Sequence, residues 1–245
     1  MDAGLRDAPA MRRGLDLLGF DPFARLAAGT RFQQPALFLC SVAAWEQERL
    51  RDVVAGAGHS LGEYAALVAA GALDFEEALR VVAVRGEAMA AAPPGGMTAF
   101  LGGDEDEVRA LAADLGLTVA NDNAPGQLVL SGPLDALAEA EARTGARVRR
   151  LDVCGAFHSP LMRGAAEALR DALAAVDVHE PRFPVYSNGT ARPFVDVREE
   201  LVANLTRPVR WRETVLALDA DEFVEVGPGR VLTGLVRRTL REVAA

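Results

Sequence analysis

The chain has 245 residues, half of them hydrophobic, a formal net charge of −9, and 26 basic residues that are all arginine. That balance argues against a nucleic-acid partner and against a general attraction to anionic membranes, and the absence of lysine rules out a lysine nucleophile or Schiff base. Cys40 and Cys154, both in apolar sequence surroundings, are too few for a disulfide framework and read as reduced thiols of a cytoplasmic protein. The longest apolar stretch, Ala36 to Trp45, is too short to span a bilayer, and the N-terminus carries no apolar signal core.

In chain order, residues 1 to 33 are mixed and weakly helical, interrupted by Gly19 and by Asp21-Pro22. Gln34 to Leu50 reads as a helix with a broad apolar face, entered at Pro35. A short apolar run, Val53 to Ala57, then predicts a strand, followed by the turn Gly58-His59-Ser60-Leu61-Gly62 and an Ala-rich helix. Asp74 and Glu77 mark the start of a further helix, which runs to about Ala92 and ends at Pro93-Pro94-Gly95-Gly96. From Thr98 the texture changes. Strands at Thr98 to Gly102, Leu117 to Asn121, Gln127 to Ser131 and Arg147 to Val153 alternate with helices at Asp104 to Asp114 and Leu134 to Arg143. The order β-α-β-β-α-β is that of a ferredoxin-like subdomain. Ser159-Pro160 opens another helix as N-cap and first helical residue. Pro184 to Ser187 and Glu222 to Val226 predict short strands, the second followed by Gly227-Pro228-Gly229 and a closing helix. The expected fold class is α/β, with a mostly parallel sheet. Residues 1–95 and 155–245 form its core, and 96–154 the inserted small subdomain.

The chemistry centres on Ser60. Gly58 and Gly62 flank it in the G-x-S-x-G spacing of a nucleophile elbow, where a strand reverses into a helix and crowds both neighbours. The turn leaves the first helical N–H groups, including that of Leu61, available to a reacting oxygen. Serine needs a base. Of the three histidines, His59 is adjacent to Ser60 on a tight turn and points away. His179 sits in a polar connection. His158 stands just before a helix start, where the dipole disfavours imidazolium and keeps the ring a competent base; taken alone, it also reads as a histidine tucked into a loop. Arg85 shares the apolar stripe of Ala78, Val82 and Met89. It reads either as an arginine snorkelling from the edge of that stripe or as a buried guanidinium waiting for a carboxylate. No metal-binding or nucleotide-binding motif is present.

These residues resemble the malonyl-CoA:acyl carrier protein transacylase family and the acyltransferase domains of polyketide synthases. The resemblance runs through Gln34-Pro-Ala-Leu, Gly58-His-Ser-Leu-Gly-Glu-Tyr-Ala-Ala-Leu, Arg85-Gly with Met89, Asn121-Asp-Asn-Ala-Pro-Gly-Gln, Phe157-His-Ser-Pro-Leu-Met and Glu225-Val-Gly-Pro-Gly, in order, over residues 33 to 240. It implies a hydrolase-like core with a ferredoxin-like insert. It implies Ser60 as acyl-carrying nucleophile, His158 as base, Arg85 as clamp for the malonyl carboxylate and the Leu61 N–H as half of an oxyanion hole. It further implies Asn204 as the residue whose backbone carbonyl orients the histidine, and Phe157 as a substrate-binding residue of malonyl-selective members. The family begins with a strand and a Gly-Gln-Gly-Ser-Gln-type loop that supports the oxyanion hole. No such segment precedes residue 33, which sets the expectation of a slow transacylase with an open sheet edge.

The resulting expectation is acyl transfer from malonyl-CoA, through a Ser60 ester, to the phosphopantetheine thiol of an acyl carrier protein. No cofactor is involved, and the coenzyme A thioester is the substrate. Fatty acid and polyketide pathways stay open. A serine esterase or thioesterase with an acidic residue holding His158 is the competing enzyme, and a non-catalytic carrier-protein docking relative is the third reading. Because carriers are acidic, docking calls for a local basic patch, with Arg207, Arg210 and Arg212 as candidates.

Overall fold

The computed structural model describes residues 2, 4–48 and 50–243. It is a mixed α/β structure with two separate sheets. The first part of the chain is more helical than its sequence suggests. Helix α1 (Pro9–Leu18) ends on a left-handed Gly19, and a 3-10 segment at Pro22–Ala28 is capped by Asp21. Helix α2 runs over Thr30–Glu48, so Pro35 lies inside it and not at its entrance. Pro35 has no N–H for the Arg31 carbonyl. The carbonyls of Thr30 and Arg31 face Gly86, where an added Cβ would stand 3.2 Å from each. The helix therefore tolerates its proline where it crosses a neighbour that has no side chain.

Strand β1 (Gly56–Ala57) leads through the turn into α3 (Gly62–Ala70), and α4 (Phe75–Ala90) follows, capped by Asp74, which accepts from the N–H groups of Glu76 and Glu77. After the next region, a 3-10 turn at Pro160–Met162 with Ser159 as its cap opens into a helix at Arg163–Leu173. A short strand at Val185–Ser187 pairs parallel with β1, and a second at Arg192–Pro193 pairs antiparallel with it. Helices at Val197–Asn204, Trp211–Ala217 and Val231–Val243 complete the chain. One large apolar cluster unites α1 to α4 with the helices at Arg163–Leu173 and Val197–Asn204, with Met11, Phe38, Leu39, Tyr64, Leu67, Leu79 and Leu169 at its centre, while Trp211, Val215, Leu235 and Val236 of the last two helices form a separate cluster with Ala124 and Val209.

The intervening region holds four strands, β2 (Gly96–Leu101), β3 (Thr118–Ala124), β4 (Gln127–Gly132) and β5 (Arg147–Arg150). Two helices, α5 (Glu105–Asp114) and α6 (Leu134–Arg143), lie between them in sequence. The sheet order is β3-β4-β2-β5, and every pairing is antiparallel. Alternation divides its two faces. Phe100, Leu128 and Leu130 meet Val108, Ala112, Leu137 and Ala140 of the helices, while Met97, Ala99, Ala120 and Val129 meet Leu151, Val153 and Phe157 on the way to His158.

A mostly parallel sheet is not what the described strands form: β1 with Val185–Ser187 is the single parallel ladder, beside one isolated parallel bridge of Asn121 with Val209. Two predicted strands account for the difference. Val53 to Ala55 carries no ladder, so β1 is shorter than expected, and Glu222 to Val226 is extended without strand pairing. Both segments line a cavity of about 1010 Å³ with apolar walls that include Phe38, Trp45, Phe183 and Leu235. With no backbone partner across that space, their apolar sequence alone does not make a ladder. Among the described residues, no helix is long and apolar enough to cross a membrane.

Candidate active site

The turn after β1 holds Ser60 at φ 51°, the left-handed strain of an elbow. The glycine argument applies on one side only. A Cβ on Gly58 would lie 1.9 Å from the carbonyl carbon of Gly62, whereas a Cβ on Gly62 would meet open space. Gly58 is therefore the steric requirement. A residue the sequence did not single out secures the turn. Asn188, buried behind it, accepts from the Ser60 N–H at 2.6 Å and donates to the Gly58 carbonyl at 2.7 Å. The Ser60 N–H is thereby occupied, and the Leu61 N–H at the start of α3 makes no hydrogen bond among the described residues.

His158 Nε2 lies 2.8 Å from Ser60 Oγ across 98 residues of sequence. The histidine itself sits at φ 58° and is 4% exposed. Its Nδ1 faces the Asn204 carbonyl at 2.8 Å and the Arg207 carbonyl at 3.2 Å. Two acceptors there place the proton on Nδ1 and leave Nε2 to accept from serine. No carboxylate bonds this ring among the described residues. Burial first, and then the Arg85 guanidinium, push His158 down to about 3, so the ring is neutral through the physiological range.

Arg85, on α4, is 3% exposed, so the snorkelling alternative fails. It donates to Gln34 Oε1 on α2 at 2.5 Å and to Ser60 Oγ at 3.0 Å, and lies 5.7 Å from the centre of the Tyr64 ring. Gln34 is itself held by Thr30 at 2.8 Å. No carboxylate pairs with Arg85 among the described residues, and its Nε is buried without a partner. Burial lowers its affinity for protons, since nothing at ion-pair distance offsets the desolvation. A buried cation without an anion beside a serine–histidine pair can fix a substrate carboxylate against the nucleophile.

Ser60, Leu61, Arg85, His158 and Asn204 thus converge. Phe157 joins through its backbone, by preceding His158; its half-buried ring packs over Gly155, where a Cβ would stand 2.8 Å from it. His59 does point away from Ser60, to Asn123 Oδ1 at 2.8 Å and beside Trp211. Cys154 is exposed, unlike Cys40, because its apolar neighbours in sequence turn inward without it. The three docking arginines are not a free patch. Arg212 is bound by Glu105 and Asp122, and Arg210 by Glu213, and of the three Arg207 alone forms no ion pair among the described residues. The partners of Arg212 come from α5 and β3, distant in sequence, whereas Glu213 is three residues from Arg210.

A family model described as the acyl transferase domain matches residues 14–245. The polyketide biosynthesis protein ThaF of Burkholderia thailandensis is 41% identical over 96% of this chain, which spans 22% of that protein's length. The malonyl CoA-acyl carrier protein transacylase of Bacillus subtilis is 40% identical over 86% of this chain and 73% of its own length. The crystal structure of malonyl CoA-acyl carrier protein transacylase from Burkholderia pseudomallei superposes with a TM-score of 0.91 at 37% identity, covering 99% of this chain and 93% of that one. Sequence, fold and the serine–histidine geometry agree, and the chain belongs to the acyl transferase domain family.

Proposed function

We propose that this chain transfers a malonyl group from coenzyme A to the phosphopantetheine thiol of an acyl carrier protein. The observation that carries the reading is Arg85, a fully buried guanidinium with no acidic partner, 3.0 Å from the nucleophilic oxygen. An acyl group bearing a second, free carboxylate would supply the missing charge and two parallel hydrogen bonds. The names of the relatives above point the same way.

In the first half-reaction the Ser60 O–H gives its proton to His158 Nε2 as Oγ attacks the thioester carbonyl. The Leu61 N–H stabilises the resulting oxyanion. The carbon–sulfur bond breaks, and the coenzyme A thiolate takes the proton back from Nε2. In the second half-reaction the carrier's thiol gives its proton to Nε2, attacks the Ser60 ester and restores the serine. The carbonyl of Asn204 holds His158 in the tautomer both steps need, and Phe157 shapes the acyl pocket. The reaction uses these side chains and a thioester substrate, without a cofactor, in a cytoplasmic setting.

The β-α-β-β-α-β order and all-antiparallel sheet of residues 96–154 support a ferredoxin-like subdomain set into a hydrolase-like core formed by 1–95 and 155–245. An esterase reading has less support, because backbone carbonyls and not an acidic side chain hold His158. Intact mass after brief incubation with malonyl-CoA tests the proposal. A persistent malonyl adduct on Ser60, discharged by carrier protein, is expected. Rapid release of free malonate would indicate an esterase, and no adduct would indicate a docking relative.

A further inference from the structure

Glu63 lies one turn of chain past the nucleophile, 2% exposed, and forms no ion pair among the described residues. A carboxyl in such a place is costly unless donors satisfy it. Two do, both on Oε1: the Asn188 backbone N–H at 2.7 Å and the Asn204 side-chain amide at 2.9 Å. Each donor belongs to a residue that already grips one half of the catalytic pair. Asn188 clasps the elbow on both sides of Ser60, through the Ser60 N–H and the Gly58 carbonyl. Asn204 presents its carbonyl to His158 Nδ1. A single buried oxygen therefore joins two short chains of hydrogen bonds, one ending at the serine and one at the histidine. The two donor segments lie 125 and 141 residues from Glu63 in sequence, and among the described residues no strand ladder spans all three.

We infer that Glu63 is a positioning residue that sets the separation of Ser60 Oγ from His158 Nε2. This rests on the serine–histidine reading proposed above. Burial also pushes the Glu63 carboxyl up to about 8, which fits a neutral acid that serves as hydrogen-bond acceptor and not as a charge. Glutamine is close in shape to that neutral acid and keeps Oε1. Aspartate keeps the carboxyl but is one methylene short and cannot reach both donors.

The test uses a fluorophosphonate probe, which needs the pair but no malonyl group. The Ser60 oxygen attacks phosphorus, its proton passes to His158 and fluoride leaves. The inactivation rate at saturating probe and the probe's binding constant are measured separately, together with thermal midpoint, for wild type, Glu63→Gln, Glu63→Asp and Glu63→Ala. The expected result is a rate within about threefold of wild type for Glu63→Gln. Glu63→Asp should fall at least about thirtyfold, at unchanged probe binding and with full labelling at the end point. Glu63→Ala should fall as far but with a lower midpoint, because it leaves two buried donors unpaired. The inference is overturned if Glu63→Asp reacts at the wild-type rate, or if Glu63→Gln loses as much as Glu63→Ala. It is also overturned if every loss appears as unlabelled, unfolded protein while the rest reacts normally. A wild-type chain that the probe does not label at Ser60 would remove the serine–histidine reading itself, and the positioning role with it.

Discussion

The two sheets of this protein carry opposite loads. The four-stranded sheet pairs β2 with β4 over six residues and lends neither Ser60 nor His158. The three-stranded sheet pairs only two residues at each of its junctions, yet Ser60 follows its first strand and Asn188 its second. Left-handed backbone at Ser60, His158 and Ala191 clusters around the small sheet. Regular ladders give stability and sequence alternation. The catalytic geometry comes instead from side chains that bind backbone groups across long separations, and strain is tolerated because those bonds over-determine it.

The sharpest way to break this comparison is at the nucleophile. Ser60→Ala should abolish the acyl adduct while leaving the thermal midpoint within a degree or two, since one hydroxyl on a turn adds little packing. His158→Ala should slow acylation by about 10²–10⁴. Stopped-flow acylation with malonyl-CoA measures both. A normal adduct mapped to another residue would end the assignment of Ser60.

The complementary change is in the other sheet. Phe100 is 1% exposed between the sheet and its helices. Phe100→Ala should cost about 3–5 kcal/mol of stability in urea titration. The acylation rate per folded molecule should stay within about threefold. A large loss of rate in molecules that remain folded would show that the sheet shapes the site more directly than its contacts suggest.

The same contrast explains what was legible in the sequence. The order of β2 to β5 could be read because period-two alternation and capped helices are local signals, but β3 runs on past Asn121 to Ala124 and β5 stops at Arg150, short of the expected Val153. Ser60 was legible through Gly58, and His158 because few histidines compete. Asn188 and Glu63 were not, since their partners lie more than 100 residues away and neither residue type is unusual in its neighbourhood. Asn188 did leave one trace, an Asn-Gly pair directly after a predicted strand, which sequence reasoning takes for an ordinary turn. The unpaired run Glu222 to Val226 failed for the converse reason: its pattern is that of a strand, but a ladder also requires a neighbour.

Arg85→Ala should weaken malonyl transfer far more than acetyl transfer, because only malonyl has the second carboxylate. Each charge-assisted hydrogen bond lost costs about 1.5–3 kcal/mol, so the ratio of kcat/KM values should move by about tenfold or more. Arg85 also donates to Ser60 Oγ, so some loss with acetyl-CoA is expected as well. An unchanged malonyl-to-acetyl ratio would remove the clamp from the mechanism.

The smallest effect expected is on stability as a function of pH, and it sets two residues of the site against each other. His158 in the folded chain lies well below the ordinary imidazole value, at about 3. Its contribution is fully present above the unfolded value of about 6.5 and is lost as pH falls toward 3. His59, lowered by burial as well, acts in the same direction. Glu63 runs the other way. Its carboxyl is raised from 4.5 to about 8, so its contribution is complete below 4.5 and is lost as pH rises through 8. Between about 4.5 and 6.5 Glu63 opposes the two histidines, so the rise of stability with pH should be shallower there than below 4.5. Above that range Glu63 acts without the opposing histidines, and the urea midpoint should decline by the equivalent of about 1–2 kcal/mol up to pH 8. Glu63→Gln cannot ionise, so it should level this alkaline limb and leave the acid limb in place. An alkaline decline of undiminished size in Glu63→Gln would assign the limb to another group and place the Glu63 carboxyl in a far less desolvated setting than its hydrogen bonds to Asn188 and Asn204 describe.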